Sequence, residues 1–186
     1  MRILILSGLF FLMIGSVNAQ IPVAFPSEYI DFKIDSSYFS INGIYTFQNK
    51  TGKNVYFNIE FPFGVNTSLI DSIRVVNLKN LQTVHFKTNQ QNISFYLNLL
   101  PNDTVQYNIY YRQQLAKVNT YILTTTKSWG LPLNNAVYSL TTNKNIKIKS
   151  ISMEPDSSKY DLNNITYYWR KQNFTPQADF EVIIEK

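Results

Sequence analysis

The chain of 186 residues carries 17 Lys and Arg against 12 Asp and Glu, a formal net charge of +5, one histidine and no cysteine. The missing cysteine excludes disulfides, thiolate zinc sites, cysteine nucleophiles and lipid attachment through an N-terminal cysteine. The positive excess is modest and contains no run of like charges, which argues against a nucleic-acid binder.

The chain opens with Met1-Arg2, an apolar run from Ile3 to Val17, and Val17-Asn18-Ala19 before Gln20. A charged start, a short hydrophobic region and small residues at the −3 and −1 positions predict a signal peptide over residues 1–19, cut between Ala19 and Gln20. An uncleaved anchor is the alternative. The run is shorter than the ~20 apolar residues a spanning helix needs, and no later stretch replaces it. Residues 20–28, with Pro22 and Pro26, read as an extended lead-in. Residues 29–186 read as one domain, long enough to bury a core.

Strand patterning then runs to the end. Ile30, Phe32 and Ile34 alternate in the first strand. The stretch from Tyr38 to Phe63 is the clearest: Phe39, Ile41, Tyr45 and Phe47 share one face, and Val55, Phe57, Ile59 and Phe61 another. Period two marks strands with one buried face. The link from Asn49 to Lys53, with Gly52 expected at positive φ, predicts a β-hairpin. Shorter strands follow at Asp71 to Leu78 and Gln82 to Lys87, then at Asn92 to Asn98 and Thr104 to Arg112 around the turn residues Pro101-Asn102-Asp103. Further strands are predicted at Val118 to Thr126, Ala136 to Thr142, Asn145 to Met153, Ile165 to Arg170 and Asp179 to Glu185. The apolar phase slips between Ile148 and Ile151, which predicts a bulge near Lys149-Ser150. Glu154 to Asn164 reads as a polar loop. Short strands between turn signals, with no helical period, predict an all-β, antiparallel sandwich.

Candidate chemistry is sparse. His85 lies on the polar side of its strand with no nucleophile context, so it reads as a solvated residue. With one histidine and no cysteine, a transition-metal site is not expected. The acids are scattered, and no pair is marked out for glycosidase work. Glu154, Asp156, Asp161, Asn163 and Asn164 offer oxygen ligands for calcium but lack the ordered loop pattern. The isolated glycines form no phosphate loop, and no cofactor motif occurs. Lys147 and Lys149, in one strand phase, read as guards of a sheet edge, with an acidic glycan as the sharper alternative.

Aromatics are the one excess: 13 Tyr, 13 Phe and 2 Trp. Tyr167 and Trp169, in a run that puts rings on both faces, and Trp129 on a Gly- and Pro-bearing loop are the candidate contacts for a protein or glycan partner. For the rings of the strands the favoured alternative is packing as cross-strand pairs on a sheet whose second face is covered. Trp129 has two readings. It plugs the open end of the sandwich against Leu131 and Leu133, the favoured one, or it meets a partner.

Tyr45-x-Phe47-x-Asn49, Val55-x-Phe57-x-Ile59-x-Phe61-Pro62-Phe63, Tyr110-Tyr111-Arg112-Gln113, Tyr121-Ile122-Leu123-Thr124-Thr125-Thr126 and Trp129-Gly130-x-Pro132-Leu133 together resemble secreted immunoglobulin-like domains of bacteria and archaea, of the kind classed as domains of unknown function. The resemblance implies an immunoglobulin-like fold and supplies no catalytic residue. The expected protein is an exported, non-enzymatic β-sandwich at a bacterial cell envelope, periplasmic or on the surface, acting as a binding or structural module. The alternatives are a carbohydrate-binding module using exposed Tyr and Trp and, more remotely, a hydrolase with a hidden carboxylate site.

Overall fold

A computed structural model describes residues 21–65, 69–89 and 91–185. The signal peptide and its cleavage point at Ala19 and Gln20 lie outside the described residues. Among the described residues, fourteen strands are arranged in one large and two small sheets. They are β1 (Val23–Ile34), β2 (Tyr38–Asn49), β3 (Val55–Pro62), β4 (Ile70–Asn77), β5 (Gln82–Thr83), β6 (Lys87–Thr88) and β7 (Asn92–Leu99), then β8 (Thr104–Gln114), β9 (Val118–Tyr121), β10 (Leu133–Asn143), β11 (Ile148–Ile151), β12 (Ser157–Tyr160), β13 (Asn164–Phe174) and β14 (Phe180–Ile184). The large sheet has the order β12-β13-β10-β1-β2-β8-β4-β5. The small ones are β11-β14-β9 and β3-β7-β6.

The small sheets cover the large one. Phe32 on β1 stacks on Phe180 of β14 at 4.4 Å between ring centroids, and Tyr45 on β2 meets the edge of Phe61 on β3 at 5.4 Å. Phe95 on β7 and Tyr107 on β8 lie 5.8 Å apart. The core is therefore an aromatic-rich layer between two faces, as the alternation requires.

The fold is all-β, but the antiparallel expectation needs one correction: β1 and β10 run parallel, from Ser27 beside Asn135 to Ile34 beside Thr142. The predicted hairpin is also corrected. β2 pairs with β1 and β8, whereas β3 pairs with β7, so the link 50–54 crosses from one layer to the other. The turn from β7 to β8 crosses beside it. Alternation fixes which face of a strand is buried, not which strand it pairs with, and five residues easily span the ~10 Å between layers. Positive φ does not occur at Gly52; among the described glycines it occurs at Gly130.

Asn49 joins the two crossings. Its fully buried amide donates to the carbonyls of Lys53 and Leu100, both at 2.7 Å. Its Oδ1 accepts from the backbone N–H and the hydroxyl of Thr51 at 2.9 and 2.7 Å. One buried side chain thus ties backbone groups of both loops together and has all its own polar atoms paired.

Several boundaries differ from expectation. The strand predicted from Gln82 to Lys87 is two short ones in different sheets, β5 and β6, because the chain passes from the large sheet to a small one through residues 84–86, and the strand predicted from Asn145 to Met153 is paired only over Ile148–Ile151. β1 starts at Val23, inside the predicted lead-in, and Pro26 sits at a register break between Ala24 and Ser27, where a residue without an N–H is tolerated. β9 stops at Tyr121. The threonines after it enter a 3-10 helix over Thr124–Trp129, because Thr126 and Ser128 hydroxyls donate to the carbonyls three residues back and Asp179 accepts the N–H groups of Leu123 and Thr124. The polar loop after Glu154 contains β12, paired with β13. The predicted bulge is present, as a register shift between Ile148 and Ser150.

Candidate functional site

The two small sheets present one strand each to the seam between them, β3 and β9. They meet at one end of the seam. There Gly64 lies so close to the Thr120 carbonyl oxygen that any Cβ would run into it. At the other end β9 gives way to the 3-10 helix, and the seam opens into a cavity of about 410 Å³. That volume falls in the range of small-molecule sites.

Its wall is aromatic. The Trp129 ring lies 5.6, 5.7 and 5.8 Å from those of Phe25, Phe47 and Phe57. Phe61 and Tyr45 continue the wall. Trp129 is held by the end of the 3-10 helix, where Gly130 at φ 72° turns the chain with its N–H on the Lys127 carbonyl. Such a left-handed position suits glycine. Trp129 thus has the plug orientation. The expected neighbours are corrected, however: the rings of β1, β2 and β3 receive it, Leu133 is buried and Leu131 is exposed.

The polar groups of the cavity come from the large sheet. Glu28, 2% exposed, borders it and sits beside Tyr45 of β2 and Ala136 of β10 in the strand register. The Tyr138 hydroxyl donates to Glu28 Oε1 at 2.5 Å. Burial pushes the Glu28 carboxyl up to about 7, with the Tyr138 bond acting the other way. Tyr45 and Tyr121 hydroxyls bond to each other at 2.8 Å, and burial holds both phenols well above their ordinary range. Among the described residues that line the cavity there is no Lys, Arg or His, and the acids are Glu28 and, at the border, Glu60.

Glu28 and its phenols were not singled out from the sequence. The signal was present, since Glu28 continues the series Ile30, Phe32, Ile34 by one step of two. A carboxylate in phase with three core residues marks a buried acid, and buried acids are rarely found without a role or a partner.

The structure separates the residues that were singled out. Trp169 is fully buried, with its indole N–H on the Met153 carbonyl at 3.0 Å and its ring edge-on to Phe180 at 5.3 Å. Tyr167 packs half-buried 6.5 Å from it. The packed reading therefore holds for Trp169, which has no surface to offer a partner, while Tyr167 lies half-buried against the core. Lys147 and Lys149 are exposed, the latter on β11, an outer strand of its sheet. His85 is exposed between β5 and β6, far along the chain from the cavity residues.

In the stretch considered for calcium, Asp156 accepts from Lys171 at 2.6 Å and from the Arg170 N–H, and Asp161 caps the N–H groups of Asn163 and Asn164. These bonds hold both carboxyls below their ordinary range. Among the described residues no group of three or more His, Cys, Asp or Glu is placed to hold a metal ion. No helix among them is long and apolar enough to cross a membrane.

A family profile described as a domain of unknown function, DUF4424, matches residues 99–183, from the end of β7 into β14. No curated protein matches the chain. Among solved structures, the chain is similar to a putative nutrient binding protein from Legionella pneumophila, at 16% identity and a TM-score of 0.69, over 89% of this chain and 67% of that one. It is also similar to an M1 zinc metallopeptidase from Deinococcus radiodurans, at 11% identity and a TM-score of 0.55, over 88% of this chain and 43% of that one. The chain thus spans less than half of the metallopeptidase. At these identities the likeness is one of fold.

Proposed function

We propose that this chain is a non-enzymatic binding module of immunoglobulin-like sandwich architecture, exported to a bacterial cell envelope, and that its ligand site is the seam cavity. The observation that carries the reading is the cavity itself: an aromatic wall closed by Trp129 over a buried carboxyl and two hydrogen-bonded phenols. Apolar walls with a few convergent polar groups are the usual make-up of small-molecule sites. The fold shared with the Legionella protein, whose name refers to nutrient binding, is in keeping with this reading. Export is supported by the apolar run Ile3 to Val17 with Ala19 behind it. The bacterial source is supported by the absence of cysteine, since small exported domains of animals usually carry disulfides. The non-enzymatic part rests on the cavity's lack of a histidine or an activated nucleophile.

The glycan-platform alternative loses its best candidate surface. Tyr56 and Tyr96 are the exposed pair on the outer face of β3 and β7, but they stack on one another at 4.5 Å and 5°. Each ring spends one face on its neighbour instead of lying beside it as a flat floor for a sugar.

A set of small aromatic fragments titrated onto the full chain, followed by ligand-detected NMR, tests the cavity. Binding that weakens at least tenfold in Trp129→Ala and Phe57→Ala, with the fold intact, is the expected result. Binding indifferent to both substitutions overturns the assignment of the site.

A further inference from the structure

We infer that the ligand of the seam cavity is a small organic cation, an ammonium group on an apolar or aromatic body, seated against the rings of Phe25, Phe47, Phe57 and Trp129 with its charge directed to Glu28. The inference rests on the cavity being a binding site and adds the chemical class of what enters it.

Three observations favour a cation. The first is the lining, which among the described residues holds the buried acid Glu28 and no base, in a chain whose overall charge is +5. A cavity that departs in sign from the rest of the molecule selects the opposite charge. The second is the aromatic wall. Three rings, those of Phe25, Phe47 and Phe57, have centroids within 5.6 to 5.8 Å of the Trp129 ring they share, and together the four present several π faces to one volume. Ring faces carry negative potential and attract ammonium groups, more so when water is excluded.

The third is the state of Glu28. It accepts a hydrogen bond from Tyr138, and among the described residues no basic side chain lines the cavity around it. A buried carboxylate without a counter-charge is costly, and a bound cation would supply the missing partner. Burial accordingly pushes Glu28 up to about 7 in the free protein. Its other titratable neighbours are Tyr138 on β10, Tyr45 on β2 and Tyr121 at the end of β9, with Glu60 of β3 at the cavity border. The phenols are held well above their ordinary range and stay neutral across the physiological interval. A cation then binds better as pH rises through Glu28's titration, releasing its proton. A neutral or anionic ligand that accepts a hydrogen bond from the protonated acid shows the opposite slope.

The test compares benzyltrimethylammonium, whose charge does not titrate, with neutral 2-phenylethanol, by calorimetry on the full chain at pH 5.5 and 8.5. The expected result is a cation affinity at least tenfold higher at pH 8.5 than at pH 5.5, and at least tenfold above that of the alcohol at the higher pH. Glu28→Gln should erase both differences, while Glu60→Gln leaves them in place. Should Glu28→Gln fail to fold, the wild-type pH dependence and the Glu60→Gln control still decide. Equal binding of the two compounds, a cation affinity that ignores or falls with pH, or a pH response that disappears in Glu60→Gln overturns the inference and leaves the cavity reading standing. Failure of both compounds and of the fragment set to bind overturns the cavity reading itself.

Discussion

The large sheet and the layer that covers it are made of the same alternating strands, yet one is continuous through eight strands and the other is split in two. The difference lies in how the chain travels. β1, β2, β8 and β10 neighbour one another and pair along eight or more residues, whereas β9 runs for four and then yields to a 3-10 helix. Where the second layer is unbroken, its rings interlock with the large sheet and leave no space, as at Phe32, Phe180 and Trp169. Where it breaks, the same kinds of rings surround a cavity. Packing material is common to both regions; continuity of backbone pairing decides which becomes core and which becomes site.

The two tryptophans make that contrast measurable. Trp169→Ala removes a fully buried ring and leaves the Met153 carbonyl without its donor, and should cost about 3–5 kcal/mol. Trp129→Ala removes a half-buried ring from the wall of an existing cavity, and should cost about half as much, since fewer contacts are lost and no new void is closed off. Urea midpoints at constant m-value measure both. Equal losses would mean that the seam is as tightly packed as the continuous region.

Glu28 sharpens the comparison from the electrostatic side. The unfolded chain titrates this carboxyl near its ordinary value of 4.5, and the folded protein near 7. Between these the folded state keeps a proton that the unfolded state has released, so stability falls as pH rises through that window. The full loss, above about pH 7, is roughly 3 kcal/mol by linkage. Glu28→Gln should therefore be close to neutral at pH 4 and stabilising by up to roughly 3 kcal/mol at pH 8. Thermal melts of both proteins across that range decide it; parallel profiles would place the pH response on another group.

How much of this was legible depends on what period two encodes. It named the inward faces of β1, β2 and β3 correctly, from Ile30, Phe32 and Ile34 through Phe39 and Ile41 to Ile59 and Phe61, all buried. The phase slip at Lys149-Ser150 was legible for the same reason, because a bulge changes the alternation itself. Pairing was not, since the crossing of β2 to β3 and a hairpin present the same alternation and differ in where the partner strand comes from. The burial of Trp169 was only half legible, because Tyr167, Tyr168 and Trp169 place apolar rings in both phases, which leaves the inward phase undetermined. The cavity depends on the ending of β9, and that ending is set by Asp179, more than fifty residues downstream of the N–H groups it caps.

The two crossings offer a smaller effect. Asn49→Ala would leave the Lys53 and Leu100 carbonyls and the Thr51 hydroxyl without their shared partner in a buried corner. A loss of about 2–3 kcal/mol is expected, between that of a single unpaired group and that of several partly reached by water. Asn49→Asp keeps the acceptor for Thr51 but replaces the donor with an oxygen facing two carbonyls, and should cost at least as much. If Asn49→Asp proved the milder variant, the donor bonds that join the two loops would carry little of the corner's stability.

The smallest effect belongs to the outer face of β3, one residue away from the cavity wall. Tyr56 and Phe57 are adjacent, and alternation sends one ring to the solvent side and the other to Trp129. Phe57→Ala opens the cavity wall and should both weaken ligand binding and destabilise. Tyr56, 70% exposed, has its stacking partner Tyr96 across the strand pair. Cross-strand aromatic pairs of this kind contribute about 0.2–1 kcal/mol. Tyr56→Ala should therefore lower stability by less than about 1 kcal/mol, with Tyr96→Ala adding little once Tyr56 is gone, because the two lose the same contact. Cavity binding should be unchanged in both, since neither ring borders it. A double-mutant cycle on these two tyrosines, read by denaturation and by fragment binding, checks each part. Loss of ligand binding in Tyr56→Ala with its stability intact would move the recognition surface from the seam to the outer face of the sheet, and with it the division between packed core and open site.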